Sequence, residues 1–212
     1  MAPTLVNVAF GVALGLALLG AAFDRRSILF VALAAALPDL DAVASLVVHG
    51  ATNALLHNLW LPGVVAVALY WDTRYREESW LADRHGWYGV RVAWVSLASF
   101  VVAGIGVDLF SPSGVNLLYP VHDRFYAVVG ILLFSTQDGL VQSFVEVGEG
   151  LLWLSSPGTT ADYHVETWVN PTPGTGLERG VDRELHLVET GWQLVVVAAA
   201  LVAVAIRLWE DR

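Results

Sequence analysis

Neither cysteine nor lysine occurs in the 212 residues, and methionine occurs once. The missing cysteines exclude a disulfide framework and any thiolate metal site. All 11 basic residues are therefore arginine, against 20 acids, for a formal charge of −9. So acidic a chain lacks the basic face that replaces phosphate counterions, which argues against nucleic acid as a partner. Charge of either sign is sparse, at 15% of residues, while 56% are hydrophobic and the mean hydropathy is +0.60. Soluble domains of this size run lower, so a membrane protein is the first expectation. An acidic, lysine-free chain also resembles, in composition alone, the proteins of extreme halophiles.

Crossing about 30 Å of hydrocarbon takes roughly 20 apolar residues. Five runs meet that length: 4–23, 28–48, 53–72, 90–110 and 192–209. No basic residue precedes the first run and Arg25-Arg26 follow it, a charge order that suits a retained anchor. Residues 111–191 hold ten acids and three arginines and read as a solvated insertion. Within it, Asp138-Gly139 between apolar runs signals a hairpin, with strands expected over 125–134 and 139–147 and a third over 161–169. A re-entrant segment over 125–147 is the alternative. The expected fold class is mainly α: a polytopic helical membrane protein with about five transmembrane helices and a small β-containing extracytoplasmic insertion before the last. Its parts are a four-helix membrane domain over 1–110, the acidic insertion over 111–191 and a final helix over 192–212.

The arginines set the orientation. Arg25, Arg26, Arg74, Arg76, Arg84, Arg91, Arg207 and Arg212 fall on one side when the N-terminus is outside and the C-terminus inside, in the cytoplasmic membrane. Asn7, Asp39, Asp41, His57 and Asp108 then all fall in the outer half of the bilayer. Acids beside a histidine in low dielectric form a metal site, a proton relay or a hydrogen-bonded structural knot. Asp39 and Asp41, two apart, diverge by about 200° on a straight helix, so they share a site only if Pro38 breaks it. Asp39 also reads as the cap of a helix restarting there. Asp108 reads as a cap on the Ser111–Gly114 turn, and His57 as a buried histidine bonded to a carbonyl. His122-Asp123 is an adjacent imidazole and carboxylate, read either as an interfacial pair or as a proton-transfer pair. His164, Glu166 and His186 read as exposed, and the tryptophans as interfacial anchors. Neither a nucleophile elbow nor a phosphate-binding glycine loop is present.

"LPDLD" at 37–41, a histidine 16 residues later, and "DLFSPSGVNLLYP" at 108–120 resemble the YdjM-like or DUF457 family of small polytopic inner-membrane proteins. That family is regarded as metal-dependent hydrolases and grouped with the zinc phospholipase C and P1-nuclease-like helical fold. The resemblance covers residues 1 to about 123. It implies metal ligands at Asp39, Asp41, His57 and Asp108, and a divalent ion, Zn, Mg or Mn. It further implies metal-dependent hydrolysis; the location near the outer face points to a phosphoester or lipid-like ester, with His122, oriented by Asp123, as the candidate for proton transfer. Three departures stand beside the matches: family histidines fall on Asn7 and Gly104, and a His-Arg pair on Thr52-Asn53. What remains is an oxygen-rich donor set that suits a harder cation. The same departures support a second reading, a non-catalytic membrane scaffold with an outer partner or an oligomeric role. A proton-coupled transporter is a third, against which stands the confinement of the polar groups to one leaflet.

Overall fold

The computed structural model describes residues 1–144, 146–148, 151–153 and 155–210. Helix α1 (Thr4–Leu18) is followed by α2 (Arg25–Ala36), whose start is fixed by a reciprocal cap in which Asp24 accepts from Ser27 N and Ser27 Oγ accepts from Asp24 N. Pro38 then ends α2. A tight turn over Pro38–Leu40 and a short helix α3 (Asp41–Ala44) continue the chain at a 46° bend. Residues 45–59 form turns, and α4 runs only from Trp60 to Arg74. Helix α5 (Trp80–Ser99) passes through a wide π turn at Phe100–Ile105 into α6 (Gly106–Leu109). Helix α7 (Gly191–Glu210) closes the described chain.

By length and composition, Trp80–Leu109 and Gly191–Glu210 are able to cross a membrane, and the bent pair Arg25–Ala36 and Pro38–Ala44 makes a third if it counts as one span. The expected count of five is not reached by this criterion among the described residues. The first run yields a helix of 15 residues, and the expected span over 53–72 is helical only from Trp60. The cause lies in where the backbone groups of 53–59 bond. Asn53 adopts φ 55° and its carbonyl accepts from Asn116 N, while Leu59 N donates to Leu117 O. Asn58 Oδ1 accepts from Trp60 N and Leu61 N, and Pro62 in the first turn needs no intrahelical donor, so α4 starts there.

Helices α1, α2 and α5 pack closely, with α7 against α1. Val6 and Ala9 meet Val197 and Ala200, and Leu19, Ile28, Val31 and Val95 form a second apolar cluster. Gly11 makes the three-helix crossing tight: a Cβ there would lie 2.4 Å from Ser99 Oγ and 2.6 Å from Ala35 Cβ. Large apolar side chains such as Leu29, Phe30, Val64, Val67, Val195 and Val202 stay exposed on the helix exteriors. A lipid solvent makes that exposure favourable, where water would not.

The insertion is mostly irregular. The hairpin at Asp138-Gly139 is present, with β1 (Leu132–Ser135) antiparallel to β2 (Gly139–Gln142) and Leu132 opposite Gln142. Gly139 takes φ 72°, which the tight turn requires. Both strands are shorter than expected, and a second hairpin pairs β3 (Glu146–Gly148) with β4 (Leu151–Trp153). Part of the expected strand over 139–147 lies outside the described residues, at 145. The strand expected over 161–169 is absent: these residues are turns and irregular chain, with His164 Nε2 against Asn170 O and Thr167 N donating to the same carbonyl. Local bonds replace a ladder there. This stretch docks on the 45–59 turns, where Asn170 Nδ2 donates to Ser45 and Phe125, Ala54 and Val165 share a small core.

Candidate metal centre

Four separate pieces of chain supply one buried polar cluster. Asn7 comes from α1, Asp39 and Asp41 from the bend after α2, His57 from the turns before α4, and Asp108 from α6. Asn7, Asp41, His57 and Asp108 have no solvent exposure and Asp39 has 8%. The bend resolves the divergence of the two aspartates by placing them on opposite edges of one imidazole. Asp41 Oδ2 lies 2.7 Å from His57 Nδ1, while Asp39 Oδ1 lies 3.7 Å and Asp108 Oδ2 3.4 Å from His57 Nε2. The π turn widens the helix just before Asp108, a deformation frequent at functional sites.

Asn7 Nδ2 donates to Asp108 Oδ2 at 3.2 Å and to Asp39 Oδ1 at 3.3 Å, and Ala2 N donates to Asp108 Oδ1. Two polar atoms in the pocket have no hydrogen-bond partner, His57 Nε2 and Asn7 Oδ1, as has Asp41 Oδ1 behind the ring. Unpaired buried polar atoms are costly and call for an explanation. In the tautomer that donates Nδ1–H to Asp41, the Nε2 lone pair would face the two remaining carboxylates. One ligand atom each from Asp39, His57 and Asp108 lies within 4.8 Å of the others, so these three are able to hold a metal ion. Asp41 sits where an outer carboxylate orients a metal-binding histidine. When all three carboxyls are ionised, they carry more negative charge than one imidazole offsets, and a divalent cation would balance it. The residues present therefore fit a cation.

The other predicted residues lie elsewhere. His122 is exposed, with Nε2 2.9 Å from the Tyr126 hydroxyl. Asp123 accepts from Asn116 Nδ2 at 2.6 Å, Thr160 N at 3.0 Å and Thr160 Oγ1 at 2.6 Å. Burial raises the Asp123 pKa, but these donors outweigh it and hold the carboxyl below its usual range. Among the described residues, no hydrogen bond or ion pair joins this pair to the cluster. His186 is exposed on irregular chain between Glu184 and Glu189, each 3.2 Å from one ring nitrogen, and both bonds raise its pKa. The family position at Gly104 has no room for a side chain: a Cβ would lie 2.6 Å from Pro38 Cγ and 2.9 Å from Ala35 O.

Sequence reasoning did not find the role of Asn7 as a donor to both carboxylates, although a lone amide opening an apolar helix was a usable signal. It also missed a cavity of about 580 Å³ between the start of α1 and the insertion, lined by Ala2, Thr4, His164, Glu166 and Glu184 among others. Thr4 lines it and its side chain also interacts with Asp39, although no member of the cluster itself lines the cavity.

The fold and the cluster define a class, helical membrane proteins that gather acids and an imidazole from several segments into one buried pocket. Residues 1–169 match the model of the family described as YdjM inner membrane protein, and the chain belongs to that family. The match runs well past residue 123, into the insertion. No curated protein and no solved structure matches the chain.

Proposed function

We propose that this membrane protein is a metal-dependent hydrolase with its site near the extracytoplasmic face. The observation that carries the reading is the fully buried His57, whose Nε2 faces Asp108 Oδ2 at 3.4 Å and Asp39 Oδ1 at 3.7 Å within one 4.8 Å group. Asp39, His57 and Asp108 hold the cation, and Asp41 fixes the imidazole tautomer through Nδ1. A divalent cation there supplies Lewis acidity toward a water molecule and toward a phosphoryl or acyl oxygen. The arginine distribution supports an N-terminus outside and a C-terminus inside, with the cavity at the start of α1 then on the outer face. A pocket at that depth suits a lipid or other amphiphilic ester. The bonds that occupy Asp123 favour a structural role for it, tying residues 116 and 160 together.

The scaffold reading has its own support. Asn7 and Ala2 already donate to the two carboxylates, so the cluster is also a serviceable structural knot. Metal analysis separates the two. Protein purified without chelator and loaded with Mn²⁺ or Zn²⁺ is expected to retain one ion per chain or more, and Asp39→Ala to lose it. Retention together with ester hydrolysis in mixed micelles supports the hydrolase. Absence of any retained ion in the unaltered protein leaves the scaffold.

A further inference from the structure

We infer that Asn7 is itself a ligand, through Oδ1, and that it biases the site toward a hard cation such as Mn²⁺ rather than Zn²⁺. This rests on the metal-site reading above and extends it to a residue that the three-member group leaves out.

Asn7 is fully buried, its Oδ1 has no partner, and its Nδ2 lies 3.2–3.5 Å from the same two carboxylates that face His57 Nε2. The two ends of a primary amide are nearly equal in shape. A half-turn of the terminal torsion exchanges the N–H₂ for the oxygen without moving the helix. With the pocket empty of a cation, the N–H₂ end is favoured, because it donates to Asp39 and Asp108. With a cation between those carboxylates, the same end would point protons at positive charge. The oxygen end then gains a ligand bond, and the one amide atom left without a partner acquires one. An orphaned acceptor and two carboxylates on the other end of the same amide are the expected signature of a group that serves both states.

The resulting donor set is one imidazole nitrogen and oxygens from Asp39, Asp108 and Asn7. Carboxylate and carbonyl oxygens suit Mg²⁺, Ca²⁺ and Mn²⁺, whereas imidazole suits Zn²⁺ and its neighbours. Mn²⁺ accepts the mixed set best, because it tolerates the imidazole that Mg²⁺ rarely takes. Raw affinity still favours Zn²⁺ on any nitrogen and oxygen site. The claim therefore concerns the ratio of the two affinities and its dependence on residue 7.

The test is titration of the full chain in detergent micelles with Mn²⁺, read by the electron paramagnetic resonance signal of the free ion, and with Zn²⁺ by competition. Asn7→Leu removes both ends of the amide and is expected to weaken Mn²⁺ binding about tenfold or more, the lower range for loss of a supporting group. Asn7→Asp keeps an oxygen and is expected to bind Mn²⁺ at least as tightly as the unaltered chain. Asn7→His is expected to shift the ratio toward Zn²⁺ by about tenfold. Asn7→Leu binding like the unaltered chain overturns the inference. So does a parallel loss in Asn7→Asp and Asn7→Leu, which is what an amide acting only as a donor to carboxylates produces. If Asn7→Leu does not fold, Asn7→Asp and Asn7→His decide between these outcomes. Failure of the unaltered chain to bind either ion removes the metal site as well, and is thereby distinct from failure at Asn7 alone.

Discussion

Asp41→Asn separates orientation from ligation within the cluster. The Asp41 Oδ2 to His57 Nδ1 contact is 2.7 Å with both side chains fully buried. Asparagine keeps an acceptor at that place and removes the charge. A hydrogen bond to a charged group contributes about 1.5–3 kcal/mol net. A neutral acceptor holds the N–H about half as strongly. The imidazole thus loses about 0.8–1.5 kcal/mol of support for its metal-facing tautomer, roughly a four- to twelvefold fall in affinity. That lies at the lower edge of the 10–100-fold range, roughly, for outer partners of metal ligands. Asp108→Ala, by contrast, deletes a ligand and is expected to abolish stoichiometric binding. Calorimetric titration of Mn²⁺ into both variants in detergent gives the comparison. If Asp41→Asn loses the ion as completely as Asp108→Ala, Asp41 is a ligand and the orienting role is wrong. If it binds as the unaltered chain does, the contact to Nδ1 has no bearing on the site.

Two further outcomes follow from the packing. Gly104→Ala forces a methyl against Pro38 Cγ at 2.6 Å and is expected to cost about 1–3 kcal/mol, read as a lower Tm in detergent; an unchanged Tm would show that the bend yields freely. Asp123→Asn weakens the bonds to Thr160 and Asn116, at about 1 kcal/mol each, and is expected to speed proteolysis of the insertion. Because the folded carboxyl titrates below its usual range, its contribution is present above about pH 4 and is lost as pH falls through the lower folded value. Acid should therefore speed proteolysis of the unaltered insertion more than that of Asp123→Asn, and equal acid sensitivity in the two would count against this.

The helices were legible where a run was uniformly apolar, as at α7, or where Pro38 announced a break between two aspartates. The convergence of Asp39, Asp41, His57 and Asp108 was legible because one orientation put all of them in one leaflet. Residues 45–59 were not, because their conformation is set by bonds to 116–117 and to the 160–176 stretch, and apolar composition does not report such partners. The turn signal was nonetheless present in Asn58 followed by Pro62. The strand expected at 161–169 failed for a related reason, since its alternation came from local contacts around Asn170 rather than from a sheet. Exclusion of a side chain at Gly104 comes from the close approach of Pro38 and Ala35 in the folded chain and has no trace in one sequence.

The pocket's walls come from both ends of the first half of the chain, Asn7 near its start and Asp108 about a hundred residues later. It therefore comes into being only after every segment between those points has reached its final place. Truncations upstream of Asp108 should insert yet bind nothing, and during biosynthesis cation uptake would mark the moment at which assembly is finished. Any ion held there acts as a latch across all of the earlier steps, stabilising the completed arrangement in proportion to the logarithm of its free concentration.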